Sequence, residues 1–295
     1  MDRAGKLLGL VDLARHEGIE IVPFHHPPAR HTLDPHVRAE RLVRIDYVCG
    51  ERSIAAANGP RRTFDFALAS HVVSYAPDLI GFLNDLTGIL RPHGLICLAI
   101  PDRRYTSDYF RRVTVLADVI DAHLRQLRRP SIRHLLDHLA NEVEWPTVSA
   151  WAGGLHRERL TSTRSLQEAM RLAALAVTSD AYPDCRCHVF TPHSFFQLLG
   201  GCFELGLLTL EVAQVWPTTP GESEFFVVLR RVAQTGEAAT RRLRQLESIP
   251  PPGCLTTHHP WTWPPLSDHL PPALRDEPFL SVVDGGRAAR EPRGV

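Results

Sequence analysis

Two short apolar runs constrain this chain more than any other feature. Phe64-Asp65-Phe66-Ala67-Leu68-Ala69 and Leu95-Ile96-Cys97-Leu98-Ala99-Ile100 barely alternate in polarity. A strand with one wet face alternates apolar and polar residues, so a run without alternation belongs to a strand covered on both faces. Between the runs, Pro77 opens a helix from Asp78 through Leu90 with Leu79, Phe82, Leu83, Leu86 and Leu90 on one stripe. Arg91-Pro92-His93-Gly94 then reads as a turn. Upstream, helical spacing runs from Ala4 to His16, and Ile19–Val22 and Val43–Val48 read as strands. Downstream, Thr191-Pro192 starts a helix with Thr at the N-cap and Pro at the first turn, and Leu205–Val212 and Phe225–Leu229 read as two further strands. Strands alternating with helices predict an α/β fold, a mostly parallel sheet with helices on both faces.

The stretch from Tyr105 to Val189 is helical throughout and too long for one crossover. Val113, Leu116, Ile120, Leu124 and Leu127 form one stripe. Ile132, Leu135, Leu136, Leu139 and Val143 form a second, and Leu166, Met170, Ala173 and Val177 a third. We expect residues 105–189 to be an insertion that acts as a lid, with Asp108, Glu144, Trp145 and His156 as contributors to acceptor binding. Residues 1–249 are expected to form one domain. Ten of the 24 prolines lie between Pro250 and Pro292, so residues 250–295 read as a Pro-rich, disordered tail.

Composition excludes several function classes. Lys+Arg and Asp+Glu are 33 each, which speaks against nucleic-acid binding, since phosphate neutralisation needs clustered positive charge. Six cysteines scattered from Cys49 to Cys254 read as reduced thiols of a cytoplasmic protein. No apolar run has the length of a membrane span. Sixteen histidines raise the question of metal. His25, His26 and His31 cluster in a loop, and His134 and His138 sit at i, i+4, but no HExxH signature is present and both are expected on the polar side of their helix. Cys185-Arg186-Cys187-His188 lacks a second pair of ligands and reads as a buried segment leading into Phe190. No metal is expected.

The segment Phe64–Val73, with Pro77-Asp78-Leu79 and Ile89-Leu90-Arg91-Pro92-His93-Gly94-Leu95, resembles the central unit of class I S-adenosylmethionine-dependent methyltransferases. His93 stands where that family usually has Gly. Ala99–Thr106, Phe190–Phe195 and Pro217–Val227 extend the resemblance to roughly residues 18–231. It implies a Rossmann-like sheet ending in an antiparallel strand pair, S-adenosylmethionine as cofactor, and methyl transfer to a small-molecule or glycan-type acceptor. It also implies cofactor contacts at Glu20, Val22, Asp46, Ser70 and His71. In such a sheet ligands bind beyond the carboxyl ends of the strands. His71, Asp102 and Tyr105, just past two such ends, are the candidate catalytic residues, with His71 suited to general base.

Two departures favour an alternative, a non-catalytic binding or assembly protein on the same fold. Val22 replaces the first Gly of the cofactor loop, where a positive φ would strain a β-branched side chain. The interval from Val22 to Asp46 is too short for a helix, a second strand with its ribose-binding acid, and another helix. With Val43–Val48 as the third strand of the family's order and Asp46 near the adenine, one unit would be missing and cofactor binding weak. The oligomeric state is left unassigned.

Overall fold

The structure is a computed structural model that describes residues 2–23, 42–47, 54, 63–145 and 160–233. The chain divides into two compact units, Met1–Ser248 and Ile249–Val295. The second unit, with the proline-rich tail, lies outside the described residues, as do His25, His26, His31 and His156.

In chain order the elements are α1 (Arg3–Leu8), β1 (Gly18–Pro23), β2 (Leu42–Tyr47), β3 (Phe64–Ser70), α2 (Leu79–Gly88), β4 (Leu90–Pro101), α3 (Leu116–Leu124), α4 (Ile132–Asn141), α5 (Leu166–Thr178), α6 (Pro192–Glu204), β5 (Leu210–Trp216) and β6 (Glu224–Arg231). They form one six-stranded sheet in the order β2-β1-β3-β4-β6-β5. The first four strands are mutually parallel, and β6 runs antiparallel to both neighbours. The parallel placement of Phe64–Ala69 between Ile19–Val22 and Leu95–Ile100 follows the expectation, as does the antiparallel end.

Both faces of the sheet are covered. Leu7 and Leu8 of α1 pack with Phe66, Leu68, Leu95, Cys97, Phe226 and Val228 on one face. Phe225 points the other way and meets Phe195 of α6, ring centroids 5.9 Å apart. Asp78 caps α2 by accepting from the Gly81 N–H, and Thr191 caps α6 with Pro192 in its first turn.

Several expectations are corrected. The strand at Leu42–Tyr47 is not third in the order but the immediate parallel neighbour of β1, with Ile19 opposite Val43 and Val22 opposite Asp46. The interval before it therefore needs to hold one crossover, for which a dozen residues suffice. Val22 is extended strand rather than left-handed turn, so no backbone strain arises there. Residues 91–94 are the start of β4, where His93 takes φ 64°, explaining why a glycine suits that position. The first helix stops at Leu8, and β5 runs over 210–216 rather than ending at Val212. In α5, Ala169 and Ala173 face inward, while Leu166 and Val177 are 69% and 58% exposed. In α3, Val119 and Ala122 are buried, while Leu124 points to solvent. His138, expected on a polar face, is buried.

Gly18 begins β1 against the Phe66 ring, where an added Cβ would lie 2.1 Å from the ring. The ring is in the core, so it cannot swing aside. Gly18→Ala should lower stability by about 1–3 kcal/mol, read as a lower urea midpoint at unchanged slope.

Candidate functional site

The chain leaves β1 toward β2 on one side and enters β3 on the other, so the sheet's connections reverse between β1 and β3. Ligands of open parallel sheets bind outside the carboxyl ends of strands at such a point. There the apolar run of β3 ends in Ser70 and His71. The Ser70 hydroxyl accepts from Arg3 Nη2 at 2.6 Å. His71 takes the left-handed conformation, φ 62°, rare for a residue with a Cβ. Its N–H donates to the Ala99 carbonyl at 2.8 Å, and its Nε2 lies 2.7 Å from Glu224 Oε2.

Glu224 is delivered by topology. Because β6 is antiparallel to β4, its first residue pairs with Pro101 at the carboxyl end of the parallel strands. Arg3 Nε donates to Glu224 Oε1 at 2.6 Å. Burial alone would raise the Glu224 pKa, but the hydrogen bonds and charges of His71 and Arg3 outweigh it and hold the carboxyl down at about 2. An ionised Glu224 accepts only, so His71 Nε2 is the donor in this contact. Three residues further along α1 from Arg3, Lys6 ties down the loop before β6, with Nζ 2.5 Å from Glu222 Oε1.

Asp102 and Tyr105 lie past the end of β4, as expected, but are tightly held. Asp102 is fully buried. Its carboxylate accepts from Arg104 Nη2 at 2.6 Å and Thr218 Oγ1 at 2.7 Å, and it caps the turn Arg103–Tyr105. Tyr105 is buried, and burial pushes its phenol up to about 12 against the opposing pull of the Arg104 guanidinium, which lies over its ring. Glu20 is buried inside β1 opposite Leu68, short of the strand end. Val22 and Asp46 sit across from each other at the ends of β1 and β2. The structure thus brings Ser70 and His71 together with Arg3 and Glu224, and keeps Asp102 in a separate cluster. Arg3 and Glu224 were missed in the sequence. Glu224 stands at the head of a recognisable strand, and only its register with Pro101 shows its importance.

The insertion is fastened at this same edge. The His188 N–H donates to the Ser74 carbonyl, the Arg103 N–H to the Phe190 carbonyl, and His123 Nδ1 lies 3.0 Å from Asp78. Asp108 is buried among arginines, Glu144 is exposed, and Trp145 stacks on Tyr109 at 5.4 Å. Among the described residues no group of three or more His, Cys, Asp or Glu is arranged to hold a metal, and no helix is long and apolar enough to cross a membrane.

A parallel sheet that continues through an antiparallel β6 inserted before β5 decides the architecture. This is the class I methyltransferase fold. No family model matches the chain. One stretch of 72 residues, 24% of the chain, is 36% identical to the ubiquinone biosynthesis O-methyltransferase of Parvibaculum lavamentivorans and spans 28% of that protein. Among solved structures, the StiE O-MT is 12% identical with a TM-score of 0.34, covering 84% of this chain and 80% of that one. An S-adenosylmethionine-dependent methyltransferase from Mesorhizobium loti is 12% identical with a TM-score of 0.33, covering 73% and 91%. A Rhodobacter sphaeroides protein described as a putative Zn-dependent alcohol dehydrogenase is 9% identical with a TM-score of 0.40, covering 79% and 91%. The fold stands on the strand order and register of this chain.

The Glu224 pKa has a consequence for stability. Its folded value lies below the usual 4.5, so its ion pairs stabilise fully above pH 4.5 and lose their effect as the pH falls through about 2. Glu224→Gln should unfold at lower urea concentration than the parent near pH 7, and the difference should shrink steadily below pH 4.5. A difference independent of pH would show that the carboxylate is not the stabilising charge.

Proposed function

We propose that this chain transfers a methyl group from S-adenosylmethionine to a hydroxyl of a small-molecule or glycan-type acceptor, with His71 as general base. The observation that carries this reading is the 2.7 Å contact between His71 and the ionised Glu224 at the switch point of the sheet. The name of the partial relative, an O-methyltransferase, supports an oxygen acceptor.

The fit to the cofactor rests on strand position. Asp46 is the penultimate residue of the strand next to β1, near the place where the family resemblance puts a ribose-binding acid, and Val22 opposite it is extended strand. Ser70 and His71 line the same edge, and Glu20 supports β1 from within. The cofactor would supply an electrophilic methyl group on a sulfonium. The chain's own part is to orient the acceptor and take its proton. His71 Nδ1 accepts the hydroxyl proton, and Glu224, already bonded to Nε2–H, stabilises the resulting imidazolium. Arg3 holds Glu224 ionised and in place. Asp102 and Tyr105 shape the floor through the Arg103–Tyr105 turn, and residues 105–189 act as the lid. Residues 1–249 are read as the catalytic domain.

His71→Ala should cut turnover by about 10²–10⁴-fold while S-adenosylhomocysteine affinity by calorimetry changes only a few-fold. Full activity in that variant would remove His71 from the chemistry. Asp46→Ala should weaken the same binding by about 10–100-fold, the worth of a hydrogen bond to a charged group. The non-catalytic reading draws on Val22 in place of glycine. It gains the ground if the parent chain shows no binding of S-adenosylhomocysteine at all.

A further inference from the structure

The segment that fastens the insertion also walls a cavity of about 90 Å³, none of whose lining residues belongs to the site around His71. Its wall includes Arg112, Thr114, Arg133, His134 and His188. Two helices begin there. Asp118 lies in the first turn of α3, and Arg133 and His134 in the first turn of α4. Helix N-termini carry partial positive charge and favour anions.

The side chains add to that field. Asp118 alone faces both Arg112, at 3.0 Å, and Arg133, at 2.7 Å. Asp137, also in the wall, is paired with Arg111 at 2.9 Å. Among the described residues the two guanidinium groups at the cavity thus share the one carboxylate of Asp118, while Asp137 is turned to Arg111. Arg112 and Arg133 are 60% and 64% exposed, so a ligand can reach them from solvent.

Two neutral imidazoles complete the lining. His134 Nδ1 accepts from the Ser131 N–H at 3.3 Å, which places its proton on Nε2 as a donor. His188 is 1% exposed, and neither ring nitrogen has a hydrogen-bond partner among the described residues. The Ala76 backbone lies near the ring but outside hydrogen-bond geometry. Burial pushes His188 down to about 3, so it offers one neutral N–H. Buried polar groups are almost always satisfied, so an imidazole held in this way points to a polar ligand. The volume holds a few waters or one tetrahedral oxyanion.

We propose that this cavity binds a small phosphate-type oxyanion through Arg112, Arg133 and the N–H groups of His134 and His188. The site stands independently of methyl transfer. It bears on the loop that carries His71, because the His188 backbone N–H holds the Ser74 carbonyl at 3.0 Å. An anion bound to His188 would brace that loop from behind.

The test is calorimetric titration of the full chain with inorganic phosphate at low salt. The parent should show saturable one-to-one binding, and Arg133→Gln, a surface change that spares the fold, should weaken it by about tenfold or more. Arg125→Gln removes the same charge from a residue that pairs with Asp121 outside the cavity, and should leave affinity unchanged. A parallel titration with glycerol phosphate separates two sources of the ligand. Binding that Arg133→Gln abolishes would show that a phosphate on a larger molecule enters, whereas binding of inorganic phosphate alone would make the ligand a free ion. Absence of saturable binding to the parent, or equal losses in the two arginine variants, would overturn the site.

Discussion

Burial on both faces of β3 and β4 is the constraint on which the rest of the structure depends. Ala67, Leu68 and Ala69, and the whole run Ile96–Ile100, are at most 1% exposed. A charge inside such a strand would be buried without water, at a cost of several kcal/mol unless paired. Polar residues are therefore driven to the strand ends, and the first ones met there are Ser70, His71 and Asp102. Each is satisfied by a partner from a distant part of the chain: Arg3, Glu224 and Thr218 respectively. The reversal of β6 makes this possible. A parallel last strand would have brought its carboxyl end to this edge, whereas the antiparallel one brings its first residue, Glu224, beside Pro101.

The insertion is organised by a different principle. Its centre is ionic. Arg111 is 1% exposed and meets Asp108 at 3.0 Å, Asp137 at 2.9 Å and the Arg186 carbonyl at 2.7 Å. Arg186 in turn meets Asp108 at 2.9 Å and Glu142 at 2.8 Å. Burial would raise the Asp108 pKa, but Arg186 and Arg111 hold it below the usual carboxylate range. Such a network is a weak source of net stability, because desolvation offsets most of the attraction. It is a strong source of geometry, since loss of one partner strands a buried charge at about 3–5 kcal/mol. What it fixes is the path of residues 185–190, which run from Arg186 past Ser74 to the bridge between Phe190 and Asp102.

These two principles explain what was legible in the sequence. Apolar runs, caps and turns are local, so the strands around Phe66 and Leu98, the α2 stripe and the Thr191-Pro192 start could be read directly. Periodicity in the insertion could not be read the same way. Helix α5 has large apolar residues on more than one side, and the face that packs is the one with Ala169 and Ala173, which let α4 approach closely. His138 looked peripheral because a polar residue opposite a leucine stripe normally is, but here that opposite side faces the ionic centre. The position of β2 was misjudged for another reason. Order along the chain does not state which strands are neighbours, and a residue interval is too short or ample only once the number of crossovers is known. The pairing of His71 with Glu224 spans 153 positions, a separation at which one sequence carries no signal.

Two histidines share an unusual backbone and differ in meaning. His71 and His93 both adopt positive φ, 62° and 64°. Holding a residue with a Cβ there costs about 1–3 kcal/mol, and the strain persists only where the surroundings impose it. His93 lies exposed in the first part of β4, at the amino edge of the sheet, where the register against β3 shifts between Phe64 and Phe66 and Gly94 leaves no room for a Cβ beside the Arg91 carbonyl. That strain belongs to the irregularity in the strand. His71 lies at the carboxyl edge, and its conformation is imposed from two directions, by the Ala99 carbonyl on its N–H and by Glu224 on its ring. A glycine would adopt this backbone at lower cost but would have no imidazole to present. Retaining a strained histidine, and importing Glu224 and Arg3 to hold it, makes sense only if the ring's position is what the local structure is built to fix.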